Sequence, residues 1–320
     1  ENINYVRADT GDDFDDRFDA VIPIEDMFLD ENGLLRLTEG LTVEPGQNIN
    51  PRGTDMREGD LLVDKGLPIR SFDLAILAVG GIIAVEVVKK PVVSFIPSGN
   101  ELIPAGRTPG RGQNIDANSL MTKHMLREMG AEFRGRPIIR DDPAELGRNL
   151  DEALQISDIV ILNAGSSKGL EDYNARLLAE KGRLICHGVL AAPGRPICIA
   201  VIDGKPVINT SGPIIAEYYA LDWCLRAVIA RFLGITARRP RTVSARLTQD
   251  LYAPSSLEFL YKMRVRRAGD GYEVEPLTFG RVKGVDLKGF SSGQFITELG
   301  RDLYPAGSLI DVELLYDLEL

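Results

Sequence analysis

Four short segments carry residues whose types and spacing suit ligand chemistry. Ser98-Gly99-Asn100-Glu101-Leu102 follows one apolar run, and the stretch from Asn163 to Tyr173, with Gly165, Ser166, Ser167 and Gly169, follows another. Both combine glycine, which lets backbone approach a ligand, with hydroxyls and N–H groups of the kind that hold phosphate near a helix start. Neither spacing matches a P-loop or a dinucleotide fingerprint. On composition alone, a phosphate loop and a plain strand-to-helix turn weigh equally. The third segment, from Gly112 to Ser119, sets Asp116, Asn118 and Ser119 at a helix start, where capping is the simplest role for one of them. The fourth, from His187 to Pro196, holds Pro193, Gly194 and Arg195 in a turn between strands. The Arg195 guanidinium suits two-point contact with an oxyanion, the alternative being a solvated hairpin with a surface arginine.

Such segments need a frame that brings them to one edge. Val92–Ile96 reads as a buried strand, and Asn118–Met129 as a helix with Leu120, Met121, Met125 and Met129 on one face and Gly130 at its end. Asp142-Pro143-Ala144-Glu145 is a helix start, followed by the stripe Leu146, Leu150, Ala153 and Leu154. Asp158–Asn163 is a continuous apolar strand of the type buried on both faces of a parallel sheet. A helix over 172–180, strands over 183–189, 197–201 and 206–209, and a long helix over 215–233 complete the pattern. The alternation predicts a three-layer, mainly parallel α/β domain over 90–235, with ligands beyond the carboxyl ends of its strands. Residues 1–89 read as a small β-rich and linker region, with a strand at Ala20–Ile24, a turn at Glu31-Asn32-Gly33 and a helix over 71–84 capped by Ser71. Residues 236–320, with short strands over 259–266, 272–277 and 310–315, read as a small all-β, barrel-like domain.

Composition narrows the function classes. The chain has 320 residues, 44% hydrophobic and 26% charged, as ordinary soluble globular proteins have. Its 37 basic and 47 acidic residues leave a net charge of −10, which disfavours a nucleic-acid or anionic-membrane partner. No apolar run approaches the ~20 residues of a membrane span. Cys186, Cys198 and Cys224 form no C-x-x-C pair, which fits a reducing, cytoplasmic setting. Glu1-Asn2-Ile3-Asn4 shows no signal-peptide pattern.

In order and approximate spacing the four segments resemble the MoeA/gephyrin E-domain family, the molybdopterin molybdotransferases of molybdenum-cofactor synthesis. The family pattern runs T-G-[DN]-E-L, then G-Q-I-x-D-x-N-S, then G-G-x-S-x-G-x-x-D-[YF], then K-P-G-K-P. Upstream, the stretch from Gly46 to Asp55 resembles the family's G-x-N-x-R-x-x-G-E-D, and that from Asp19 to Asp26 its D-A-V-V-P-x-E-D strand. The resemblance implies a cytoplasmic homodimer that binds molybdopterin or its adenylylated form, hydrolyses the adenylyl group and transfers molybdate to the pterin. It implies catalytic roles for Asp55, Glu101 and Asp172, with Glu101 and Asp172 as oxygen ligands to Mg²⁺. Ligand contacts would come from Ser98, Gly99, Asn100, Asp116, Asn118, Ser119, Gly165, Ser166, Ser167, Gly169, Pro193, Gly194 and Arg195. The chain also departs from the pattern. The two K-P-G-K-P lysines are Ala192 and Arg195, the loop's first glycine is Ala164, and the serine of L-P-G-N-P-x-S is Ala216. Losing a lysine and a serine thins the cradle an oxyanion needs, so a non-catalytic pterin-binding or regulatory paralogue stands as the alternative.

Overall fold

The computed structural model describes residues 5–163, 168–237, 241–277 and 291–315, without the side chains of 168–172. The chain divides into two units, Glu1–Val85 and Glu86–Leu320. In the first, Asp30 organises a hairpin. Its carboxylate accepts from the Asn32 and Leu34 N–H groups at 2.9 and 3.0 Å and from Arg36 Nε at 2.9 Å. The turn at Glu31-Asn32-Gly33 therefore forms as expected, but between β1 (Met27–Leu29) and β2 (Leu35–Leu37). The expected strand at Ala20–Ile24 does not form. Pro23 supplies no donor, and Val21 spends its groups on a turn, donating to Gln47 O and accepting from Asn48 Nδ2, both at 2.9 Å. Helix α1 (Ser71–Val79) is shorter than the sequence suggests, because Gly80 and Gly81 (φ +76°) close it. Arg70, and not Ser71, is its N-cap. Asp73 accepts from the Arg70 backbone N–H at 2.8 Å and from its guanidinium at 3.1 Å.

The second unit opens on the three-layer domain. Its elements are β3 (Val92–Pro97), β4 (Leu102–Pro104), β5 (Asn114–Asp116), α2 (Asn118–Met129), β6 (Glu132–Gly135), α3 (Pro143–Ile156), β7 (Ile159–Asn163) and α4 (Lys168–Lys181). Then come β8 (Arg183–His187), β9 (Ala191–Ala192), β10 (Cys198–Ile202), β11 (Lys205–Thr210), α5 (Ile214–Ala220) and α6 (Arg226–Leu233). The sheet order is β6-β3-β7-β11-β10-β8. The strands from β6 to β11 run parallel, and β10 is antiparallel to both neighbours. Alternate residues of β3 and β7 face opposite cores. Val93, Phe95, Ile159 and Ile161 pack on Leu126 of α2 and Leu221 and Ile229 of the last helices. Ile96, Val160 and Leu162 pack on Leu150 of α3 and Leu178 of α4. Burial on both faces is what the unbroken apolar runs require.

Two helices deviate from their expected form. The helix expected over 215–233 contains a π segment at Leu221–Leu225 between α5 and α6. On α2, Leu120 is 54% exposed, and the core face is Thr122, Met125, Leu126 and Met129. Helix α3 starts as expected, with Asp142 accepting from the Glu145 N–H at 2.7 Å. Asp142→Ala should lower the unfolding free energy by about 1 kcal/mol, read as a lower denaturant midpoint at unchanged slope.

The C-terminal region forms a closed barrel from β12 (Thr242–Leu247), β14 (Glu258–Ala268), β15 (Gly271–Pro276), β16 (Gly293–Ile296) and β18 (Leu309–Leu314), with β13 (Leu251–Tyr252) and β17 (Leu303–Tyr304) paired beside it. Strand β14 closes the ring by pairing with both β15 and β16. The interior holds Leu247, Tyr261, Met263, Val265, Val274, Phe295 and Val312. Gly293 is needed at this wall, since a Cβ there would lie 2.7 Å from Val312 and 2.8 Å from Val265. Short β9 leaves the α/β sheet to pair with β14, Ala191 opposite Glu258. No helix among the described residues is long and apolar enough to cross a membrane.

Candidate functional site

The carboxyl ends of β3, β7 and β11 meet along one edge, and backbone bonds tie their exits together. Ser98 N–H donates to Asn163 O at 2.9 Å, and Gly99 N–H to Ile139 O at 3.1 Å. The turn after β3 is closed by Leu102 N–H on Gly99 O at 3.2 Å. Strands β4 and β5 then pair in parallel, and Asn114 N–H donates to Glu101 O at 2.8 Å. That pairing sets Glu101 beside Asn114 and Pro104 opposite Asp116, and Asn163 joins the two segments, accepting from Ser98 N–H on its carbonyl and from Asn118 on its side chain. Asp116 accepts from Ser119 N–H at 3.0 Å and from its hydroxyl, so Asp116 is the member of the segment that caps. Ser98 is buried, and its hydroxyl donates to Asp141 at 2.7 Å.

Asn118 does something different. It is 6% exposed, and its Nδ2 donates to Asn163 Oδ1 at 3.0 Å and to Gly212 O at 2.8 Å. Asn163, also buried, donates through Nδ2 to Thr210 Oγ1 at 3.2 Å, Ser211 O at 3.1 Å and Glu217 Oε2 at 3.1 Å. Two amides thus link the start of α2, the exit of β7 and the turn after β11. At the base of this network Glu217 is fully buried. Burial pushes its carboxyl up to about 8 and Asp116 pushes the same way, while hydrogen bonds from Thr210, Asn163 and Thr122 pull back.

The hairpin turn reaches the same side. Gly194 (φ +105°) is buried, and a Cβ on it would lie 3.1 Å from Ala216 O in the first turn of α5. Only glycine allows both that conformation and that approach. Ala192 pairs with Phe259 through β9, and Pro193 follows through a cis peptide bond. Arg195 is exposed, and among the described residues no carboxylate pairs with its guanidinium. A cation free of internal partners is available to an anion.

Other expected residues fall elsewhere. Gly165, Ser166 and Ser167 lie outside the described residues, as do the surroundings of Gly169 and the Asp172 side chain, although both belong to α4. Asp55 sits in the first unit, exposed beside a turn closed by Thr54 N–H on Pro51 O at 3.0 Å. Glu101 folds back on its own turn, its carboxylate oxygens 3.1 Å from where a Gly99 Cβ would stand. Among the described residues no three His, Cys, Asp or Glu side chains group as a metal site. The Glu101 carboxylate is a ligand of the kind Mg²⁺ takes.

Beyond β3 and β6 a cleft of about 450 Å³ is lined by Gly99, Asn100, Leu102, Pro137, Ile138 and Arg140. The first unit has its own hollow of about 860 Å³, with Arg52 and Arg57 against Met56, Leu62, Val79 and Ile82. Thr122, Thr210 and Glu217 are residues that sequence reasoning did not select as site members, whereas Asn163 was placed at the head of a candidate loop. The available signal was one acid inside an otherwise apolar helix start, Ile214-Ile215-Ala216-Glu217-Tyr218-Tyr219-Ala220.

Residues 94–231 match the family model described as "probable molybdopterin binding domain", and residues 1–81 match that of the MoeA N-terminal region, domains I and II. A molybdopterin molybdenumtransferase of Staphylococcus epidermidis is 24% identical over 310 residues, covering 97% of this chain and 73% of the relative. The enzyme of that name from Haemophilus influenzae is 26% identical over 247 residues, covering 77% of this chain and 61% of the relative. The crystal structure of a molybdopterin biosynthesis MoeA protein from Pyrococcus horikoshii superposes with a TM-score of 0.73 at 27% identity, over 92% of this chain and 72% of that one.

Proposed function

Since this chain belongs to the MoeA family, we propose that it acts in molybdenum cofactor biosynthesis by holding molybdopterin, or its adenylylated form, at the carboxyl edge of β3, β7 and β11. The observation that carries this reading is the convergence of the Ser98–Glu101, Asp116–Ser119, Asn163 and Ser211–Gly212 turns within the stretch that matches the pterin-binding model. In this reading Ser98, Gly99, Asn100, Asn118, Ser119 and the Gly165–Gly169 loop receive the pterin phosphate. Pro193 and Gly194 aim Arg195 at its charge. Asp116 holds the start of α2. Asp55 keeps the catalytic role the family pattern gives it, and Glu101 and Asp172 would be the oxygen donors for Mg²⁺, which would compensate phosphate charge. The reaction is adenylyl release with molybdate entering as substrate, in a cytoplasmic homodimer whose α/β domain spans 90–235.

The test is a titration of the purified protein with molybdopterin, followed by adenylylated molybdopterin with molybdate while AMP release is measured. Binding with AMP release is expected; no pterin binding rejects the reading. Arg195→Ala should weaken pterin binding by about ten- to a hundredfold, the worth of one charge-assisted contact, with unfolding unchanged. A second reading, pterin binding without turnover, is favoured by the methyl groups that Ala192 and Ala216 present where the family pattern has lysine and serine. Turnover by the unmodified protein excludes it. Turnover gained only with Ala192→Lys and Ala216→Ser establishes it.

A further inference from the structure

Glu217 stands one layer beneath the proposed ligand edge, with no solvent access. Its Oε2 accepts from Asn163 Nδ2 at 3.1 Å, while Oε1 is buried without a hydrogen-bond partner. The Thr122 hydroxyl of α2 is a neighbouring donor, set too poorly to make a hydrogen bond of ordinary geometry. A charged oxygen buried without a hydrogen-bond partner, and with no cation among the described residues acting on it, is costly, and one proton on the carboxyl removes that charge. In that form Oε2 still accepts from Asn163.

We propose that Glu217, held as the neutral carboxylic acid, is a positioning residue for the anionic ligand. The proposal rests on the pterin reading above and deepens it. By accepting from Asn163 Nδ2, Glu217 fixes that amide with Oδ1 toward Asn118. Asn118 is thereby committed to donate to both Asn163 and Gly212 O, which locks the exits of β7 and β11 to the first turn of α2. Those are the segments whose N–H groups and side chains would meet a phosphate. Ionised Glu217 would instead set a second negative charge near Asp116 under that edge. Among the described residues, Asp116 is the charged group acting on Glu217; β7 faces it with Asn163, β11 with Thr210 and α2 with Thr122, none of which titrates in this range. The carboxyl's rise to about 8 agrees with this geometry.

The experiment measures molybdopterin dissociation constants for the full chain and for Glu217→Gln from about pH 6 to about pH 9, alongside the infrared carbonyl band of protonated carboxylic acids in the ligand-free protein. Glu217→Gln keeps the shape and the acceptor for Asn163 but cannot ionise. The wild-type protein should lose affinity relative to Glu217→Gln by up to about tenfold per pH unit above the midpoint of Glu217. The acid band should persist at neutral pH, fade near pH 8 and be absent from the variant. The wild-type band gives that answer even where the variant does not fold. Parallel pH profiles in the two proteins, or no acid band at neutral pH, overturn the positioning role and leave the pterin reading standing. Absence of pterin binding at every pH in both proteins overturns that reading and this proposal together.

Discussion

Asn163→Ala is expected to lower the unfolding free energy by about 3–5 kcal/mol, the range seen when a buried polar network loses a shared member. The side chain is 3% exposed and takes part in four hydrogen bonds, as donor to Thr210, Ser211 and Glu217 and as acceptor from Asn118. Alanine removes all four and leaves partners that water cannot reach. Thr210 retains its bond to Leu162 O at 3.3 Å and Asn118 its bond to Gly212. The loss therefore falls mainly on Glu217 Oε2 and Ser211 O, each desolvated group costing about 1–3 kcal/mol when unpaired. The check is a denaturant titration read for its midpoint, with the slope confirming that the unfolded state is unaltered. Asn163→Asp separates this account from a simple cavity effect. It keeps the volume but replaces the donor with a carboxylate facing Glu217, so at neutral pH it should be at least as damaging as alanine, and it should recover in acid. A loss under about 1 kcal/mol for both variants would show that the network contributes little.

The α/β frame was legible because its strands are unbroken apolar runs and its helices announce their ends. β3 and β7 could only be buried on both faces, and Asp142 and Gly130 mark a start and a stop that the structure uses as such. Ala20–Ile24 misled because its apolar residues suggest a strand while Pro23 removes the donor a ladder needs. Strands β4 and β5 have three residues each, too few for a period to show, and β6 is the polar edge run Glu-Phe-Arg-Gly. Strand β12 follows a basic, proline-broken stretch that masks its alternation. The pairing of β9 with the barrel depends on a two-residue contact far along the chain, for which no local pattern exists. Within the site, the loops were visible by their glycines, hydroxyls and acids. Glu217 was not, because one acid on a helix reads as a solvated face, and only the packing of α5 on β7, β11 and α2 turns it inward.

That inward acid should make the protein lose stability as pH rises from about 5 to 8, and one inward base should check the loss just above that range. Glu217 is raised from its ordinary 4.5 to about 8, first by burial. Between those two values the folded chain holds a proton that the unfolded chain has released, so stability falls as pH rises, by up to about 1.4 kcal/mol per pH unit and on the order of 4 kcal/mol in all. Below that window both states are protonated, and above it neither is. Lys262 acts in the opposite sense. It is 6% exposed, with its ammonium 4.1 Å above the Tyr218 ring and 3.3 Å from Gln294 Oε1. Burial lowers it from 10.5 to about 8, against the pull of Asp222 and Glu313. Between about 8 and 10.5 the unfolded chain keeps a proton that the folded chain has lost, so this group adds on the order of 3 kcal/mol as pH rises, but above about 9 the buried thiols of Cys198 and Cys224, raised to about 11 and about 12, act against it. Thermal or urea unfolding should therefore show stability falling from about pH 5 to 8, turning upward between about 8 and 9, and falling again above that as the thiols take over. Glu217→Gln should flatten this acid wall, and Lys262→Met should remove the upturn between about 8 and 9. A wild-type profile that rises steadily from pH 5 to 8, or an acid wall unchanged in Glu217→Gln, would mean that Glu217 is ionised inside the folded protein.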